Sequence, residues 1–177
     1  ESHHARSELS LEMLENFNPC FVLDLTATPK KESNIISYVD AVQLKNEHMV
    51  KLPVIVYNRD SQSEVLIDAI DLRNKLEEIA DAEYTKTGKY IRPIALFQAQ
   101  PKGKEDATTF EKLRDKLVDK GIPAEQIAIR TADVNELKNT DLMSPSCPIR
   151  YIITVNALKE GWDCPFAYIL ASLANKT

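Results

Sequence analysis

Glycine is scarce in this chain: there are four in 177 residues, at Gly88, Gly103, Gly121 and Gly161. No two stand at the spacing of G-x-G-x-x-G or G-x-x-x-x-G-K. The chain therefore carries neither a dinucleotide-binding turn nor a phosphate-cradling P-loop. Cysteine is scarcer still, with Cys20, Cys147 and Cys164. An odd number, wide spacing and no C-x-x-C exclude a disulfide scaffold and a zinc knuckle. Cys20 and Cys164 have apolar neighbours and are expected as small core residues. Free thiols without a secretory signal point to the cytoplasm. No apolar run is long enough to span a bilayer, so no membrane partner is expected. Basic charge is also short: Lys and Arg number 22 against 27 Asp and Glu, a net charge of −5. No global positive field draws in nucleic acid or an anionic surface. His3 and His4 are adjacent, diverge on most backbones and have no third ligand nearby, so no metal site is assigned.

The remaining composition is that of a globular chain, 44% hydrophobic and 28% charged. Its length suits one domain, or one domain with a piece of another. About 70% of the unfolded surface of such a chain is buried on folding. Residues 7–16 read as a short helix with Leu9, Met13 and Leu14 on one side. Phe21 to Leu25 is an apolar run of β type. Pro29 and the polar stretch Lys30 to Asn34 mark a boundary at residue 30. Tyr38 to Leu44 suggests a helical turn, and Val54 to Tyr57 a strand after Pro53.

Beyond Ser61 strand and helix alternate. Val65, Ala69, Leu72, Leu76 and Ile79 recur at helical spacing over 61–85, and Gly88 ends that helix. Strands are expected at 94–97, 126–130, 149–155 and 166–170. Helices are expected around Phe110, Leu113 and Leu117, and after Asp133 as a cap. Alternation of this kind implies parallel pairing, with both faces of the strands covered. The expected fold class is α/β, a parallel sheet sandwiched by helices. Ligands meet the carboxyl ends of such strands, so polar residues there carry the information.

Three strands end in such residues, and here the sequence resembles a known family. Leu25-Thr26-Ala27-Thr28-Pro29 is similar to motif III of superfamily-two helicases. Thr154 to Pro165, with the string Leu158-Lys159-Glu160-Gly161-Trp162-Asp163-Cys164-Pro165, resembles motif V. Glu1-Ser2-His3 resembles the tail of a D-E-x-H box, motif II. The wording of motif V, with a long helix before Ala95-Leu96-Phe97-Gln98, most resembles the restriction subunit of type III restriction–modification enzymes.

The resemblance implies a RecA-like fold in two parts. Residues 1–30 would be the tail of the first motor lobe, and 31–177 the second lobe, stopping before motif VI. It implies ATP and Mg2+ as cofactors of the full-length protein, and DNA and a modification methyltransferase subunit as partners. Glu1 would orient the attacking water, since phosphoryl transfer needs positioning and charge stabilisation. Thr26 and Thr28 would couple the lobes. Gly161 and Asp163 would face the nucleotide. Thr154, Asn156 and Gln98 would contact the nucleic acid, which short uncharged side chains can do without a basic surface. The missing P-loop and motif VI imply a fragment that neither hydrolyses ATP nor cuts DNA alone. A DEAD/DEAH-type RNA helicase lobe and a non-enzymatic α/β interaction domain stand as alternatives.

Overall fold

A computed structural model describes residues 7–26, 29, 34–47, 49, 54–101, 108–155 and 164–173. The chain divides into two units, Glu1–Val56 and Tyr57–Thr177.

In the first unit two short helices form where their caps predict. Helix α1 covers Glu8–Asn16, and the Ser7 side chain accepts from Ser10 N. Helix α2 covers Ala41–Asn46 and opens on a capping box between Asp40 and Gln43. Neither helix has a buried residue. The runs Phe21–Leu25 and Val54–Tyr57 form no strand, and their apolar side chains are exposed. Both departures have one cause. A strand exists only as one partner of a ladder, and among the described residues no ladder forms in this unit. Cys20 is exposed too, against its expected place in a core.

The second unit begins with α3, Gln62–Thr87. Ser61 caps its start, and Gly88 closes it in the left-handed conformation at φ +71°, which glycine adopts without steric cost. The fully buried positions of α3 are Leu66, Ala69, Arg73 and Ala80. Val65, Leu72 and Leu76 pack partly against the core, while Ile79 is exposed. The buried stripe is thus rotated from the expected one, because Arg73 occupies a core position.

Four strands follow: β1 Ile94–Gln98, β2 Ile127–Arg130, β3 Tyr151–Thr154 and β4 Ala167–Ser172. Helix α4, Phe110–Asp119, joins the first two, with a 3-10 turn at Ala124–Gln126 before β2. The sheet order is β2-β3-β1-β4, and every pair is parallel. This is the α/β class expected.

One face of the sheet (Ala95, Phe97, Ile129, Ile153) is covered by Leu66 and Ala69 of α3 and by Leu113 and Leu117 of α4. The other face, with Ile94, Leu96 and Ile152, packs Cys164 and Phe166, and Leu137, Leu142 and Ile149 from the long β2–β3 connection. That connection is not helical after Asp133. The Thr131 hydroxyl accepts from Val134 N at 3.0 Å, and Asn135 turns back to bridge Arg130. Arg92, 1% exposed, fastens the connection from beneath. Its guanidinium donates to the carbonyls of Leu142 and Ser144, the latter at 2.7 Å.

Covering of the second face is incomplete. Along β4, Ile169 and Ala171 are buried while Tyr168, Leu170 and Ser172 are exposed. The strand alternates because it lies at the sheet edge, where no layer of the described residues covers it.

Candidate nucleic-acid interface

The register fixes what meets at the carboxyl edge. Arg130 pairs with Thr154, Thr154 with Gln98, and Gln98 with Ser172. Residues in register share a face of the pleat. The last residues of β1, β2 and β3 and of edge strand β4 thus form one polar row across the sheet, on the second face. Thr154 is 5% exposed and Gln98 half-buried. The Ser172 hydroxyl donates to Gln98 Oε1 at 3.0 Å. Ala99 N donates to the Thr154 carbonyl at 2.7 Å, and Leu173 N to the Gln98 carbonyl at 2.9 Å.

Behind the row lies a second layer of polar side chains. Gln100 Nε2 and Gln62 Nε2 both donate to the Leu173 carbonyl, at 3.0 and 3.2 Å. The Thr108 hydroxyl donates to Gln62 Oε1 and the Thr108 amide to Gln100 Oε1, both at 2.8 Å. Gln62 opens α3 and Thr109 caps α4. The amino ends of both helices therefore reach this edge. The amino end of a helix carries partial positive charge, which favours an anion in an otherwise acidic protein.

The opposite edge has different chemistry. Arg73 and Arg150 both bind the Glu77 carboxylate, Arg150 Nε at 2.7 Å. Burial would push the Glu77 carboxyl up. The hydrogen bonds and charges of the two arginines outweigh it and hold the group below the ordinary value. The Arg73 guanidinium also stands 5.3 Å from the Tyr151 ring centroid. Burial raises that phenol above its usual range, with Arg73 opposing. This edge is a brace of two arginines on one carboxylate, and Arg73 Nη1 is buried there without a hydrogen-bond partner among the described residues.

Of the residues singled out in the sequence, Thr154 and Gln98 stand side by side at the tips of β3 and β1. Thr26 is half-buried in the first unit. Glu1, Thr28, Asn156, Gly161 and Asp163 lie outside the described residues. Arg130 and Ser172 were missed. Arg130 ends the run Ile127-Ala128-Ile129, so the same strand-tip rule that selects Gln98 selects it. Gln62, Gln100 and Thr108 carried no signal, since their meeting depends on the strand order.

Among the described residues no three His, Cys, Asp or Glu side chains converge on a metal position. No described helix is long and apolar enough to cross a membrane. A cavity of about 400 Å3 opens beside the row, between Arg130, Lys138, Thr140 and Leu142. Comparison with protein-family models, curated proteins and solved structures returns no match.

Proposed function

We propose that this chain is part of the ATP-driven, DNA-translocating motor of a type III restriction enzyme, a cytoplasmic protein. Residues 1–30 are then the tail of the first RecA-like lobe and 31–177 most of the second. Support comes from one placement. Gln98, which ends the strand after the long helix, and Thr154, which opens the string that resembles motif V, end adjacent parallel strands in the same register row. An open parallel sheet binds its ligands at that edge. Amide and hydroxyl groups with helix amino ends behind them suit a phosphate backbone on a chain of net charge −5.

In the assembled motor Glu1, Gly161 and Asp163 would face ATP and Mg2+, and a modification methyltransferase would be the partner subunit. The chain has no P-loop lysine. Magnesium-dependent ATP turnover by the purified chain is expected to be absent. In the full-length protein Asp163→Ala should lower ATP turnover and leave DNA affinity unchanged. Unchanged turnover overturns the assignment of Asp163 to the cleft. Stimulation by single-stranded RNA in place of duplex DNA would move the reading to the RNA helicases.

A further inference from the structure

Six arginines are described, and five are committed. Arg59 pairs with Asp68, Arg73 and Arg150 with Glu77, and Arg114 with Glu136. Arg92 is spent on the carbonyls of Leu142 and Ser144. Arg130 is the exception. Among the described residues its guanidinium meets neither a carboxylate nor a carbonyl. The acid on the adjoining turn, Glu136, is already taken, accepting from Arg114 at 3.2 Å and from Ile129 N at 2.7 Å.

Arg130 lines the cavity beside the polar row, with Asn135, Lys138, Thr140 and Asp141. Asp141 accepts from Met143 N at 2.9 Å, which ties it to its own turn. Among the described residues the wall thus holds two cations against one anion, together with the Thr140 hydroxyl and the Asn135 amide. Among the described residues no aromatic ring lines it, so they offer a base no stacking surface. Their two cations suit a phosphate.

The cavity is also one end of something longer. The row from Ser172 through Gln98 and Thr154 to Arg130 crosses four strands, about 14 Å at ~4.8 Å per strand. A nucleic-acid strand advances about 3.4 Å per phosphate along its helix axis, so the row matches several consecutive phosphates. We infer that Arg130 and Lys138 hold the phosphodiester backbone of a nucleic-acid strand lying along this edge past Thr154. This rests on the translocase reading and extends its contact surface to residues that reading does not use.

The test is binding of a labelled oligothymidylate to the purified chain, followed by anisotropy across a salt series. Each single-strand phosphate contact contributes about 0.7 to the slope of log affinity against log salt. R130Q/K138Q should therefore lower the slope by about 1.4. Between about 50 and 200 mM salt the unaltered chain's advantage should shrink about sevenfold. K86Q/K89Q, which removes the same charge at the far end of α3, should leave the slope unchanged. R130K should restore most of Arg130's share. If the double variant fails to fold by circular dichroism, the exposed K138Q alone carries the test, with a loss of about 0.7. An unchanged slope in R130Q/K138Q, with the unaltered chain binding, overturns this inference and leaves the translocase reading standing. Oligonucleotide binding absent in the unaltered chain overturns both. Arg130-dependent binding of pyrophosphate without the oligonucleotide overturns the strand assignment in favour of a free polyphosphate.

Discussion

Phe21-Val22-Leu23-Asp24-Leu25 and Ile94-Ala95-Leu96-Phe97-Gln98 are of equal length and similar apolar character. The second is the centre of a core: Ile94, Ala95 and Phe97 are wholly buried between two layers. The first keeps Phe21 72% and Leu25 74% exposed. The two runs differ in what else the chain places beside them. β1 has β3 on one side and β4 on the other, with two helices over one face. Among the described residues the first unit supplies helices of nine and six residues, neither with a buried side chain. Helices so short are marginal without packing. Apolar composition is thus a necessary condition for a strand and not a sufficient one.

The contrast can be broken by substitution. Phe97→Ala should destabilise the second unit by about 3–5 kcal/mol in a urea melt. Phe21→Ala should change the same midpoint by less than about 0.5 kcal/mol. Equal effects would show that Phe21 has a core of its own. Next in size is Glu77→Gln, which leaves Arg73 buried without its partner and should cost about 3 kcal/mol at neutral pH. The folded carboxyl lies below the ordinary value of 4.5, so its stabilisation is complete above that pH. It is lost as pH falls through the folded value. The gap between the two proteins should therefore close in acid, and a gap constant with pH would remove the charge from the explanation. Native-state hydrogen exchange should give amides 95–97 and 152–153 protection near the global limit, and amides 21–23 almost none. The smallest effect is Ser172→Ala, about 0.5 kcal/mol for an exposed hydroxyl bond.

Much of the second unit was legible because its signals are local. Ser61 and Gly88 bracket α3, and the four apolar runs that became strands are bounded by turn residues. Thr154 and Gln98 could be placed at strand tips by reading where those runs stop. The illegible parts depend on partners far away in sequence. Arg73 and Arg92 look like surface residues until Glu77, Tyr151 and the carbonyls of 142–144 are brought to them. The helix expected after Asp133 gives way because Thr131 and Asn135 turn the chain back onto β2. The order β2-β3-β1-β4 has no local sign, and without it neither the row Arg130–Thr154–Gln98–Ser172 nor the contacts of Gln62 can be anticipated.

Helix α3 is bonded at its first residue to the end of β4 through Gln62 and Leu173, and in its fifth turn to the start of β3 through Glu77 and Arg150. Fifteen residues of helix separate those two anchors, about 22 Å at 1.5 Å per residue. A rod pinned at both rims sets the separation between them. Any load applied to the strand tips is passed along the backbone to the Arg73–Glu77–Arg150 cluster, so the acidic side chain of that cluster also governs how stiffly the distant rim is held.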